Sequence, residues 1–297
     1  MDLPQCRGPN PDTRRPRFAT PRGTTDCHCH IFEDPARFPL TPNRSYTPHP
    51  APLEAYLKMC SVLGIERTVQ VNSSAYGYDN SITLDIIARL GQQRARGVGG
   101  IQPDTGAGEL ERLHAGGIRG IRLSTKVKGY GGTELIGALA AKIKPFGWHL
   151  QLHFDSASEI AALERQLLSV PVPLVFDHFG RVRGDEGTGS PGFQALARIL
   201  KRRDDCWVKI ASIYKVSQSG PPAYADMKPI AQALIALRPD RVVWGSNWPH
   251  PNEFGPGPGP NDGDLMDVFC NWVPDTTTRE KILVANPMGL YGFPALD

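Results

Sequence analysis

Residues 24–32 read Thr24-Thr25-Asp26-Cys27-His28-Cys29-His30-Ile31-Phe32, a β-prone run carrying two histidines two positions apart. Successive side chains of an extended strand alternate between its faces, so His28 and His30 share one face, and Cys27 and Cys29 share the other. Seven further apolar or β-branched runs follow, at 67–73, 97–102, 117–123, 149–154, 173–178, 206–211 and 241–246. Several, such as VPLVFD at 172–177 and RVVWGS at 241–246, are almost continuously apolar. A strand needs that pattern when both its faces are covered, as in the parallel sheets of α/β folds.

Between these runs, helical spacing of Leu, Ile and Ala recurs at 52–63, 80–93, 108–114, 134–142, 156–168, 193–201 and 223–237. Each stretch carries charges opposite its apolar stripe, and turn signals such as Leu63-Gly64, Ala115-Gly116-Gly117 and Phe146-Gly147 divide them. Eight alternating units without a glycine-rich dinucleotide fingerprint predict an α/β fold, a single-domain (β/α)8 TIM barrel over residues 23–297. An irregular N-terminal arm, residues 1–22, precedes it.

The chain has 297 residues, 40% of them hydrophobic and 21% charged, which one barrel domain accommodates. A net charge of +3 is too small to argue for a nucleic-acid partner. Arg7, Arg14, Arg15, Arg17 and Arg22 alternate with prolines and read as a solvated arm. No apolar run reaches the roughly 18 residues of a membrane span, and the N-terminus lacks the apolar core of a signal peptide. Six scattered cysteines read as reduced, small apolar residues rather than a disulfide framework. The expectation is a cytoplasmic protein with no nucleic-acid or membrane partner, its oligomeric state left open.

Barrel enzymes place their chemistry at the C-terminal ends of the strands. The Pro-rich segment 35–52 and the Pro/Gly-rich segment 252–263 leave the first and eighth strands there and read as mouth loops. His28 and His30 close the first strand, Asp177-His178-Phe179-Gly180-Arg181 the sixth, and Trp244-Gly245-Ser246-Asn247-Trp248-Pro249-His250-Pro251-Asn252 the eighth. Imidazoles meeting at one rim either bind a metal or donate hydrogen bonds to an oxygen. His153, on the fifth strand, reads equally as a core histidine or as a fourth member, whereas His49, His114 and His149 look structural.

These motifs together resemble the amidohydrolase superfamily: an HxH pair on strand one, a histidine after strand six and a WPH segment after strand eight. DCHCHIF, GIRGIRLS, DHFGR, WGSNWPHPN and the terminal Asn286-Pro287 are similar to the branch that holds 2-pyrone-4,6-dicarboxylate lactonase and related sugar-acid lactone enzymes. The resemblance runs from about Arg17 to Tyr291. It implies a hydrolase of a small acidic lactone that needs no metal. His28, His30 and His178 match the histidines that polarise the ester carbonyl, Arg122 and Arg181 match arginines that hold substrate carboxylates, and Asn252 matches the asparagine after WPHP. The position of the family's water-activating Asp is Asn247 here, and a carboxamide cannot act as a general base. His178 or His153 is then the replacement base. Where relatives carry further arginines, this chain offers Lys126, Lys128, Tyr214 and Lys215, which grip anions without the bidentate fork of Arg. Ser73, Ser74 and Tyr76 follow strand two as weaker substrate contacts. Three alternatives stand beside lactone hydrolysis: a hydrolase or decarboxylase with one Zn²⁺ on His28, His30, His153 and His178; a lactone isomerase; and a non-catalytic binder of acidic lactones disabled at Asn247.

Overall fold

The computed structural model describes residues 3–295; the two outermost residues of the expected arm and of the expected barrel lie outside them. Eight strands run parallel in chain order: β1 (Thr25–Cys29), β2 (Arg67–Val71), β3 (Ala95–Gly99), β4 (Ile118–Ser124), β5 (His149–His153), β6 (Leu174–Phe176), β7 (Cys206–Ile210) and β8 (Val242–Trp244). The crossovers are α1 (Leu53–Leu63), α2 (Ser81–Leu90), α3 (Ala107–Ala115), α4 (Ile136–Ile143), α5 (Ser158–Ser169), α6 (Pro191–Arg202) and α7 (Lys228–Leu237). This is the expected (β/α)8 barrel. α8 (Asp262–Trp272), which starts at the end of the glycine-proline loop, has no counterpart among the expected helices. Asn261 caps it, its side chain accepting from Gly263 N, and Leu265, Met266, Val268, Phe269 and Trp272 fill its buried face. Two short helices, α9 (Thr276–Glu280) and α10 (Asn286–Tyr291), flank a π-helical turn at the C-terminal end. No helix among the described residues is long and apolar enough to cross a membrane.

The helices form where the sequence pattern requires. In α6, Pro191 stands in the first turn and Ser190 accepts from Phe193 N, while Phe193, Leu196, Ile199 and Leu200 are buried against the strands. Helix and strand faces together make one continuous outer core.

The barrel closes between β1 and β8 at its mouth. His30 N donates to Trp248 O and Asn247 N donates to His28 O, both at 2.7 Å. The buried Asp26 carboxyl ties the seam, accepting from Ser246 N at 2.9 Å, Ser246 Oγ at 2.6 Å, Tyr56 Oη at 3.0 Å and His28 N at 3.0 Å. Burial raises it to about 6, against the lowering effect of those donors. The strands meet closely enough that a Cβ on Gly245 would lie 2.6 Å from His28 Cβ.

The β1–β2 pairing shifts register between Asp26 and Cys29, which is a β-bulge. It corrects the expected sharing of one face by Cys27 and Cys29. Cys27 packs inside the barrel with Val69, Val71, Val98, Val243 and Tyr291. Cys29 joins the outer core and touches Thr68 Oγ1 at 3.0 Å. The extra residue leaves Cys27, His28 and His30 all facing inward. All six cysteines are free and buried.

The arm is irregular and lies on the mouth loops. Cys6 N donates to Thr47 O at 2.8 Å, Arg7 N to Glu253 O at 2.9 Å, and Arg14 pairs with Asp264 and Asp267 of α8.

Candidate active site

A cavity of about 340 Å³ opens at the C-terminal ends of the strands. His30, Arg122, Lys126, His153, His178, Arg181, Tyr214, Lys215, Asn247 and Asn252 all line it. With Ser74, eleven of the fifteen residues expected at the site therefore reach one cavity, while His28, Ser73, Tyr76 and Lys128 do not line it. His28 sits directly beneath, fully buried, its ring centroid 5.0 Å from that of His30 and 4.8 Å from that of His178. Ser73 does not reach the wall. Its hydroxyl turns to Tyr46 Oη at 3.0 Å and to Ala75 N at 3.2 Å, and Ser74 and Tyr46 line the cavity in its place.

Left-handed backbone shapes the rim. Among the described residues eight non-glycine positions have positive φ, and four of them, His178, Arg181, Asn247 and Asn252, line the cavity. Each such residue costs about 1–3 kcal/mol, which the surrounding packing must sustain. The turn after β6 also needs Gly180 (φ +61°), because a Cβ there would come within 2.8 Å of Leu196 Cδ2.

Below the imidazoles lies an ionic layer in which Arg122 and Asp177 are joined by Gln151 and Lys209, two residues absent from the expected site. Asp177 Oδ2 accepts from Arg122 Nε at 2.8 Å and Gln151 Nε2 at 3.0 Å. Lys209 Nζ, fully buried, donates to Gln151 Oε1 at 2.6 Å and lies 3.7 Å from Asp177 Oδ1. Burial alone would raise the Asp177 carboxyl, but Arg122 and Lys209 overcome it and hold the group well below the usual carboxylate range. The available signal was a lysine inside the apolar strand CWVKI, since a charge there points into the barrel.

Hydrogen-bond partners fix several proton positions. His30 Nδ1 meets the carbonyl of Val71 at 2.7 Å, so it must donate, and its Nε2 carries a lone pair. Ser124 Oγ already accepts from Lys126 N and Val127 N, so its hydroxyl donates to His153 Nδ1 at 3.1 Å and leaves the proton on Nε2. Arg122 Nη2, which only donates, lies 3.5 Å from His178 Nε2, placing that proton on Nδ1. These assignments change the expected choice of base: neither His153 nor His178 offers its free nitrogen as a lone pair. Burial lowers His30 to about 3, with Arg122 adding to the effect. Burial likewise holds His28, His153 and His178 well below the usual imidazole value, so all four rings are neutral.

As a metal site, the compact donor set is His28, Asp177 and His178, whose ligand atoms lie within 4.8 Å of one another. This differs from the expected four histidines: it takes in Asp177 and leaves out His30 and His153. His28 Nε2, Asp177 Oδ1 and His178 Nδ1 are buried without hydrogen-bond partners. Yet each member of the trio already faces a buried cation. Lys209 Nζ is 3.5 Å from His28 Nδ1, Arg122 is ion-paired with Asp177, and Arg122 Nη2 lies against His178. A divalent ion would add a third positive centre to one carboxylate, which counts against a resident metal on this trio.

The rim is cationic. Arg122, Lys126, Arg181 and Lys215 line the cavity against one carboxylate, Glu253. Lys126 pairs with Asp155 at 2.6 Å and Lys215 with Glu253 at 3.3 Å, whereas Arg181 makes no ion pair among the described residues.

Fold and site together define a TIM-barrel enzyme with a histidine-rich mouth. The chain belongs to the amidohydrolase family, whose model matches residues 25–293. It is 36% identical over 97% of its length to a 4-sulfomuconolactone hydrolase of Hydrogenophaga intermedia, covering 95% of that protein. It is 32% identical to a 2-pyrone-4,6-dicarboxylate hydrolase of Comamonas testosteroni, with 93% of this chain and 92% of that one aligned. A solved apo structure from Agrobacterium tumefaciens superposes with a TM-score of 0.82 at 29% identity, covering 95% of this chain and all of the other.

Proposed function

We propose that this protein hydrolyses a small lactone bearing acidic groups. One observation carries the reading: neutral imidazoles and four cationic side chains surround a single cavity. Neutral N–H donors suit an ester oxygen that gains charge during attack, and the cationic rim suits carboxylate or sulfonate substituents. The relatives named above, both hydrolases of acidic lactones, support the same substrate class.

His153 Nε2–H is the donor for the scissile carbonyl, the His178 ring packs beside it in the cavity wall, and His28 supports both from below. A preorganised donor of this kind contributes about 3 kcal/mol to the transition state. Arg122 and Arg181, with Lys126 and Lys215, anchor the acidic substituents and orient the ring. Asn247, Tyr214, Ser74 and Asn252 hold water and the ring oxygens. In this reading Arg122 and Lys209 supply the fixed positive charge of the site, and no cofactor is required. The six free, buried cysteines suit a reducing, cytoplasmic setting.

The test is a panel holding 4-sulfomuconolactone, 2-pyrone-4,6-dicarboxylate and sugar-acid lactones, assayed with and without chelator. Product NMR separates hydrolysis from ring migration. Turnover of an acidic lactone that survives chelation is the expected result. A panel left wholly untouched overturns the reading, and activity appearing only in Asn247→Asp shows that Asn247 disables the site.

A further inference from the structure

Lactone hydrolysis requires a group to take a proton from the attacking water, and Asn247 cannot. A hydrogen-bonded chain leads away from it into the fold. Asn247 Nδ2 donates to Tyr214 Oη at 2.9 Å, Tyr214 Oη meets His250 Nδ1 at 2.9 Å, and His250 Nε2 lies 3.3 Å from the Asp262 carboxylate. Asp262 stands in the first turn of α8. His250 and Asp262 are buried, and neither lines the cavity.

The carboxylate sets the polarity of the whole chain. It only accepts, so His250 Nε2 carries a proton; His250 Nδ1 then accepts, so the Tyr214 hydroxyl donates to it. One lone pair of Tyr214 Oη accepts from Asn247 Nδ2, and the other is left for a molecule in the cavity that Tyr214 lines.

We infer that Tyr214 is the general base of this site, relaying its proton to His250, which Asp262 holds in the accepting tautomer. The inference rests on the lactonase reading. As the water oxygen bonds to the carbonyl carbon, the water's proton passes to Tyr214 Oη and the tyrosine's own proton passes to His250 Nδ1. Collapse of the tetrahedral intermediate breaks the ring C–O bond. The proton returns through Tyr214 to the leaving alkoxide, so the net change is addition of one water. A tyrosinate never accumulates, in keeping with burial, which holds the Tyr214 hydroxyl far above its usual value. His30 Nε2 is the competing lone pair, but a ring lowered to about 3 is a poor proton acceptor near neutral pH.

Three measurements test this, using whichever of 4-sulfomuconolactone or 2-pyrone-4,6-dicarboxylate the full-length protein turns over. Tyr214→Phe should lower kcat about 100-fold with KM nearly unchanged. His250→Gln and Asp262→Asn should lower kcat comparably from outside the cavity, with folding checked by thermal unfolding. In mixed H₂O and D₂O the native rate should show a curved proton inventory, which becomes linear in His250→Gln. Nitrogen-15 shifts of His250 in the unliganded protein should report Nε2–H, a readout that needs no turnover. Full kcat in Tyr214→Phe, a linear inventory in the native enzyme, or a proton on His250 Nδ1 would each overturn the relay. Failure of the native protein on every lactone would instead strike the proposed function, leaving the tautomer to judge the relay alone.

Discussion

The barrel interior has two storeys of opposite character. The lower one holds Cys27, Val69, Val71, Val98 and Val243 packed with Tyr291 and Phe293. The upper one holds His28, Arg122, Gln151, Asp177 and Lys209, joined by hydrogen bonds and ion pairs. Apolar packing stabilises without dictating direction, so the lower storey tolerates small adjustments at modest cost. Buried charges contribute little net stability, yet removing one partner strands the others. The upper storey thus trades stability for the fixed orientation that the imidazoles above it use.

The largest consequence should follow from Asp177→Ala. It leaves Arg122 and Lys209 buried without their shared carboxylate and should cost about 3–5 kcal/mol, read by chemical denaturation. Next comes His153→Ala, expected to lower kcat about 100- to 1000-fold while weakening binding far less, as steady-state kinetics would show. Full kcat in that variant would remove His153 as the carbonyl-polarising donor. In the lower storey, Val243→Ala should cost about 2 kcal/mol through lost burial and a small cavity, with kcat unchanged. A kcat loss there would mean that the two storeys are mechanically coupled. The smallest effect concerns Lys215, whose ammonium burial lowers to about 8 against the opposing pull of Glu253. The side chain is charged below that pH and loses its charge above it. KM for an anionic lactone should therefore rise a few-fold as pH passes through 8, and Lys215→Met should abolish that rise.

The outer architecture was legible because almost continuously apolar runs alternate with amphipathic helices, and no tertiary detail is needed to see that. The rim was legible for a related reason. His178, Arg181, Asn247 and Asn252 sit at strand ends, where the fold alone directs residues to the mouth. What escaped depends on contacts between distant segments. Gln151 and Lys209 show their purpose only once β5 and β7 flank β6 in the sheet. The tautomers of His30 and His153 are set by Val71 O and Ser124 Oγ, neither of which a motif reveals. Ser73 failed because the turn after β2 rotates its hydroxyl toward Tyr46. Asp262 and His250 were hidden by the glycine-proline loop between them.

The bulge in β1 implies that this strand is counted to the residue. Deleting one position between Asp26 and Cys29 would restore regular alternation by removing one side chain of the pair Cys27 and His28 from the interior. Loops around the rim can lengthen across descendants of such a barrel, but this segment has no slack. An indel there should erase activity while sparing most of the scaffold, which makes the spacing of the first strand a stricter signature of a working mouth than any single histidine.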